Sequence, residues 1–523
     1  MRKILLVSPD IHAKSVSTYT PYTSNLHKKS VVTVPLQLAT VAALTPDGYK
    51  VQIWDEAVQG AISDDTDLGD DYDLVGVTAY YNHLSRAREL GDVFRRRGIV
   101  SVIGGAGVSS EPESMRKHFD VLFLGEAELT WPQFLADFER GVYEVQYGPS
   151  GFPDLNLSPK PRWDSIAHLL EPNYRSGGVQ VNRGCPFNCE FCSSWQMFGR
   201  KMRNKPIDQV LEEVKKLEEL GMENILICTE NFVGDPRYAK DLLRELIKLK
   251  ESFRREVRYF TELTITISHD EEMLKLLAEA NFVRLLIGIE SPKVESLKET
   301  RKRMNLRTGF DRGLVGQCLK IMSYGMVIQG SMIVGFDHDN LDIFDQQFEF
   351  LQASCIPTPK LNTLKAVKGT DLYERLLKEG RLVDMKKDGL EIPDDRFLTN
   401  IVPKNMTRME LYTGYVDLWE RIWDWKNFEK RMMGFIDNLN YRGEVSIVKD
   451  ELSIIKDKER LFATVGLGGE VISNIISYTE RYAAPMIWDV IALVKVQCQE
   501  NAHLPALRKS LDMMKVGEEC LKR

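Results

Sequence analysis

Short apolar runs alternate with polar or helix-spaced stretches through the first 150 residues. Residues 3–7, 51–54, 74–77, 100–103 and 121–124 are four- or five-residue stretches made mainly of Val, Ile, Leu and Phe, most of them closed by Asp, Gly or Ser. Runs of that length without alternation read as strands covered on both faces. Helical spacing falls between them at 35–44 and 85–97, after a long polar loop that follows the first strand. The alternation predicts an α/β domain over 1–150 with a doubly wound parallel, Rossmann-like sheet, whose ligand edge lies at the strand carboxyl ends. Asp10, Thr78, the pair Gly104-Gly105, Gly125 and Glu126 stand at those ends. Glycines there also make tight turns, and without a full G-x-G-x-x-G order they define no dinucleotide site.

A second rhythm follows. Residues 151–172 hold Pro153, Pro159, Pro161 and Pro172 with little periodicity, and read as a linker. Over 173–395 strand and helix patterns repeat, with strands expected at 179–182, 224–228, 259–265, 284–289, 327–334 and 360–366. Val210, Leu211, Val214 and Leu217 mark a helix over 207–220 that ends at Gly221. Six such units predict a partial (β/α)6 barrel of the TIM type, with working residues at the strand ends. The tail, 396–523, carries helical patterns with Tyr412, Tyr415, Trp419, Trp423, Trp425 and Phe428 at mostly three- and four-residue steps. That spacing builds a helical core. A helical cap over the barrel mouth, selecting substrate and excluding water, is the role expected of it.

A chain of 523 residues with 43% hydrophobic content exceeds one core, so several domains are expected. The net charge of −7 gives no footprint for nucleic acid. The apolar patch 4–7 is too brief for a signal peptide, which points to the cytoplasm. The most apolar late segment, 483–496, is interrupted by Asp489 and Lys495 and reads as a core or interfacial helix; peripheral membrane contact stays open.

The chemistry concentrates in Asn182-Arg183-Gly184-Cys185-Pro186-Phe187-Asn188-Cys189-Glu190-Phe191-Cys192. Three thiols within eight residues on a tight loop can each take one iron of a cubic cluster, leaving a fourth iron without a protein ligand. Structural zinc asks for four ligands, and the nearest histidines, His168 and His269, have no finger-like spacing. A disulfide set is disfavoured by only 8 cysteines in the whole chain. Cys228 and Cys318 sit in apolar stretches, and Cys355, Cys498 and Cys520 lack the spacing for a second cluster.

The C-x3-C-x2-C loop resembles that of the radical S-adenosylmethionine (SAM) superfamily, where SAM chelates the open iron. The likeness is closer still to the cobalamin-dependent branch that includes the hopanoid C-methylases. It is carried by 131–137, Arg183 to Cys192, Phe198-Gly199-Arg200, Thr229-Glu230-Asn231-Phe232, Ile287 to Pro292, Ile333 to Asp337 and Gly369 to Tyr373. The resemblance implies a 4Fe-4S cluster on Cys185, Cys189 and Cys192. It implies SAM contacts at Phe191, Glu230, Asn231, Glu262, Gly288, Glu290 and Gly335. It also implies a cobalamin site at Asp10, His12, Thr78, Gly104, Gly105, Gly125 and Glu126. Asp10-Ile11-His12 stands where many cobalamin domains carry Asp-x-His-x-x-Gly, but the glycine is missing, so the lower cobalt ligand is open. Ser193 and Thr229-Glu230 depart from acidic residues common in those relatives, which weakens any transfer of substrate.

The reaction implied is C-methylation at an unactivated sp3 carbon. A 5′-deoxyadenosyl radical removes hydrogen and methylcobalamin supplies the methyl group. The resemblance further implies a small-molecule or lipid-like substrate and an external one-electron reductant such as flavodoxin or ferredoxin. Two alternatives remain at this stage: radical cyclisation or carbon-carbon bond formation without methyl transfer, and a non-catalytic cobalamin or iron-sulfur sensor.

Overall fold

Two parallel sheets are wound in different ways, and the difference fixes where a ligand can sit. The computed structural model describes residues 1–10, 31–149, 151–383, 397–439, 469–482 and 487–521. Its strands in chain order are β1 (Arg2–Ser8), β2 (Val31–Thr33), β3 (Tyr49–Asp55), β4 (Leu74–Thr78), β5 (Val100–Gly104), β6 (Val121–Phe123), β7 (Gln146–Tyr147), β8 (Tyr174–Gln180), β9 (Asn182–Arg183), β10 (Arg203–Asn204), β11 (Asn224–Cys228), β12 (Arg258–Leu263), β13 (Phe282–Glu290), β14 (Val327–Val334) and β15 (Lys360–Thr363).

The first sheet has the order β3-β1-β4-β5-β6-β7, every pair parallel. Strand order reverses between β1 and β4, and at such a switch point the two following loops part to leave a crevice. Ile4, Leu5, Leu6 and Val7 are all at most 1% exposed, as expected for a strand sandwiched between helical layers. The helix Leu84–Arg96 turns Leu84, Ala87, Leu90, Val93 and Phe94 into that sandwich. The second sheet runs β15-β14-β13-β12-β11-β8-β2, with consecutive strands side by side and parallel. Sequential order with helices such as Ile207–Glu219, Pro236–Lys250 and Gly313–Met322 between strands is the winding of a (β/α) barrel, here incomplete.

Two features depart from the sequence reading. β2 lies in the stretch taken as polar loop, yet it pairs in parallel with β8, Val31 opposite Tyr174 and Thr33 opposite Ser176. The first 150 residues therefore contribute an edge strand to the second sheet. Four β-branched residues before Pro35 are too few to show a period. Residues 151–172 are no free linker. Leu155, Trp163, Ile166 and Leu170 are buried, and the Arg162 amide donates to the Ala39 carbonyl at 2.9 Å. The segment is a packed strap.

The tail, where described, consists of helices Arg408–Trp423, Trp425–Asp437, Gly469–Tyr482 and Ile487–Leu521. A capping box, Thr407 with Glu410, starts the first of them. Tyr412, Tyr415, Trp419, Trp423 and Phe428 are buried as core. The Tyr415 hydroxyl donates to the Leu361 carbonyl on β15 at 3.1 Å, and Gly414 lies against the Phe344 ring of helix Ile343–Ser354. The tail thus braces the β14–β15 flank of the barrel. No described helix is long and apolar enough to cross a membrane.

Candidate functional site

The carboxyl ends of the two sheets face one cavity of about 1640 Å³. That exceeds the ~300–1,000 Å³ usual for drug-sized ligands. From the first sheet Ser8, Pro9, Asp10, Thr78, Ala79, Tyr80, Gly104, Gly105, Gly125 and Glu126 line it; from the barrel come Gln180, Ser193, Ser194, Cys228, Thr229, Glu230 and Glu262. Leu36, Leu38, Val41, Leu44, Phe123 and Trp131 form an apolar wall. Among the described residues none beyond Glu374 lines it, so the described tail helices contribute no wall to this cavity.

The cysteine loop leaves the barrel's first strand and is tied on all sides. Gly184 (φ +100°) turns it where a Cβ would meet the Lys201 carbonyl at 2.5 Å, so only glycine fits without a shift. The Cys185 amide donates to Gly199, the Glu190 amide to Thr300 and the Leu372 amide to Glu190, each at 3.0–3.1 Å. Arg375 grips the buried Glu190 carboxylate at 2.6 and 3.2 Å. Trp195 Nε1 donates to the Cys189 carbonyl at 3.1 Å.

All three thiols are free cysteines within reach of one another's charge, and burial pushes Cys189 up to about 11. Three thiolates on one loop can each take one iron of a cubic cluster, the donor set that a 4Fe-4S centre with one open iron needs. Ser193 and Ser194, directly after the third cysteine, open onto the cavity, so an iron on the loop's open side would face it.

The cavity carries its own electrostatics. Burial, and then the neighbouring Glu262, push the Glu230 carboxyl up to about 7, although a Ser194 hydrogen bond pulls it down. Glu262 is likewise raised by burial. Tyr80, unremarked in the sequence, sends its ring in from the β4 loop. It counts as 49% exposed, but that exposure is to the cavity: burial, Cys228 and the two glutamates raise its hydroxyl. A second group joins the two lobes. Arg183 pairs with Glu126 and with Glu128 (2.7 Å), and Arg203 with Glu126 at 2.6 Å. Burial would raise Glu128, but Arg183 outweighs it and holds the carboxyl below its usual range.

The residues expected from the sequence are not all alike in the structure. Glu230 and Glu262 stand in the cavity, while Asn231 is 1% exposed with both ends of its amide unpartnered. Phe191 packs on Phe336, ring centroids 6.0 Å apart, away from the lining. Gly335 (φ +105°) donates to Asp339 at 2.9 Å, and Glu290 pairs with Lys302. On the other lobe Asp10, Thr78, Gly104, Gly105, Gly125 and Glu126 all reach the cavity, though Glu126 is committed to Arg183 and Arg203. Gly105 (φ +113°) is needed by the chain itself, since a Cβ would stand 2.6 Å from the Ala79 carbonyl. His12 lies outside the described residues. Tyr80, two residues after β4, and Lys302, three residues after helix Val294–Glu299, stand in none of the motifs that carry the resemblance, and Arg183 stands in the cysteine motif with no partner assigned to it.

An open cubane loop at the mouth of a partial barrel, with a switch-point crevice across the same cavity, defines a radical SAM enzyme with a second cofactor lobe. Comparisons with known proteins agree. Residues 179–351 match the model of the radical SAM superfamily, and 370–470 match a domain of unknown function (DUF4070). An uncharacterized methyltransferase of Synechocystis is 30% identical over 79% of this chain and 74% of its own length. The hopanoid C-2 methylase of Rhodopseudomonas palustris is 30% identical over 73% and 71%. In fold, the chain is similar to the radical SAM methyltransferase TsrM from Kitasatospora setae with cobalamin and cluster bound (TM-score 0.56, 16% identity, 72% of this chain and 78% of that one). It is also similar to the cobalamin-dependent enzyme OxsB (TM-score 0.62, 14%, 94% and 81%). The chain belongs to the radical SAM family, in the group of methyltransferases that includes the hopanoid C-2 methylase, with the family's 4Fe-4S cluster and SAM, and its fold is that of the two cobalamin-carrying structures.

Proposed function

We propose that this enzyme methylates an unactivated carbon of a bulky, largely apolar small molecule or lipid-like substrate held in the shared cavity. The observation that carries this is the cavity itself, which brings the ligand edge of the first sheet and the cysteine-loop side of the barrel to one space too large for a single small ligand. The cofactors, when bound, supply a hydrogen-abstracting radical and a transferable methyl group. The chain's own residues position and shield. Asp10, Thr78, Gly104, Gly105 and Gly125 offer a backbone-rich floor for cobalamin, and Glu230, with Ser194, offers an acceptor for the SAM ammonium.

The apolar wall of Leu36, Leu38, Val41, Leu44 and Trp131 suits the substrate and keeps water from a radical. Glu262 and Tyr80 give one end of the cavity its hydrogen-bonding groups, a carboxyl and a hydroxyl that burial shifts toward their neutral forms. An external one-electron donor protein supports turnover. The test is anaerobic incubation of reconstituted enzyme with methyl-labelled SAM and extracts of apolar metabolites. Labelled product together with 5′-deoxyadenosine is expected. Formation of 5′-deoxyadenosine with no label in any product would overturn methyl transfer.

A further inference from the structure

Directly beyond the cluster loop, the chain buries a lysine. Lys302 is 9% exposed, and its Nζ lies 3.0 Å from Glu290 Oε1. The lysine does not reach this position by chance. Its amide closes helix Val294–Glu299 onto the Leu297 carbonyl (2.8 Å), and Thr300, two residues earlier, accepts the Glu190 amide between the second and third cysteines. Asn305 Nδ2 holds the other side, donating to the carbonyls of Gly288 (3.0 Å) and Ile289 (2.9 Å). Glu290 is held as firmly. It ends β13 in the left-handed region (φ +64°), at a register shift against β14, and Gln347 donates to its carbonyl at 3.1 Å. A Cβ at position 288 would overlap both the Glu290 carboxylate and the Lys302 ammonium, so Gly288 is the space in which the pair lies.

This arrangement is costly. Two ions are removed from water, a non-glycine residue is strained, and Glu290 Oε2 has no hydrogen-bond partner. A pair kept only for stability is replaceable by apolar side chains of the same volume. What distinguishes its place is the neighbour: the Thr300 carbonyl, just before Lys302, holds at 3.0 Å the amide of Glu190, the residue that follows Cys189, so the pair sits on the segment that backs the cysteine loop.

We infer that Lys302 and Glu290 are positioning residues that set the reduction potential of the cluster on Cys185, Cys189 and Cys192, the lysine raising it and the glutamate lowering it. The reasoning is electrostatic. Reduction adds one negative charge to an already anionic cluster, so a fixed buried cation stabilises the reduced form and a fixed buried anion destabilises it. The inference rests on the cluster assignment made above.

The experiment is a redox titration of the reconstituted full-length protein without SAM, followed by electron paramagnetic resonance, for wild type, Lys302→Gln, Lys302→Arg, Glu290→Gln and the double variant Lys302→Gln/Glu290→Gln. Lys302→Gln is expected to move the midpoint to more negative values and Glu290→Gln to more positive ones. Lys302→Arg should stay near wild type, and the double variant should fall between the two single variants. Midpoints that do not move, or that move in the same direction in both single variants, overturn the inference while the cluster assignment stands. Wild-type protein that assembles no four-iron cluster overturns both. The double variant, neutral at both positions, keeps the test decisive if one single variant fails to assemble a cluster.

Discussion

At the scale of single residues, the protein sets charged groups by burial rather than by sequence context. Cys189→Ala removes one corner of the proposed cluster. It is expected to abolish iron-sulfur absorbance and 5′-deoxyadenosine formation while cobalamin is still retained, which optical spectra and chromatography of the reaction will show. Glu230 gives a pH signature. Its folded pKa, pushed up to about 7, lies above the ordinary 4.5 because burial, then Glu262, penalise the charged form. The folded state therefore holds more protons than the unfolded state between those values, and this residue's contribution to stability falls as pH rises from about 4.5 to 7. Glu230→Gln in cofactor-free protein is expected to be more stable than wild type at pH 8, on the order of 1–3 kcal/mol, and equal to it below about pH 5, by urea denaturation at both pH values. The cysteine loop was legible as a motif because its spacing is chemical in itself. Tyr80 and Lys302 were not, since a tyrosine after Thr78-Ala79 or a lysine in Thr300-Arg301-Lys302-Arg303 looks like solvated surface until the tertiary fold encloses it.

At the scale of elements, strands announced themselves and their partners did not. The runs 3–7, 74–77 and 327–334 fall within β1, β4 and β14, because strands buried on both faces need nothing but apolar side chains. β2 and β7 escaped, being three and two residues long and defined by backbone pairing that no side-chain pattern encodes. The turn after β5 tests how tightly an element end is specified. Gly105→Ala forces a methyl group onto the Ala79 carbonyl at an unfavourable φ and is expected to cost about 1–3 kcal/mol and to loosen cobalamin, measured as urea midpoint and as cobalamin retained through gel filtration. In the tail, Gly414→Leu overpacks the Phe344 ring and is expected to cost about 1–3 kcal/mol, read from the same urea transition. Aromatics at 412, 415, 419 and 423 were rightly read as core, but their pattern does not say which barrel face they cover; the answer, the β14–β15 flank, depends on Gly414 and Leu361.

At the scale of the whole molecule, the two lobes are held in register by Arg183, Arg203, Glu126 and Glu128, all largely buried. Arg183→Met leaves two buried carboxylates short of their main partner and is expected to cost about 3–5 kcal/mol. Differential scanning calorimetry and faster protease cleavage within 151–172 will report it, and adding Glu126→Gln and Glu128→Gln should recover part of the loss. The division into a sheet lobe, a barrel and a helical tail was visible in the changing rhythm of the sequence, but the strap at 151–172 and the exchange of β2 were not, because both depend on contacts between distant segments. The exchange has a consequence for biosynthesis. Residues 31–33 leave the ribosome long before their partners at 174–176, so during translation this short segment waits unpaired while about 140 residues are added. Only then is the edge of the barrel sheet completed. A separately expressed barrel beginning at residue 173 would lack that border strand and present the bare β8 backbone to its own copies, a route to aggregation that the intact chain closes from within.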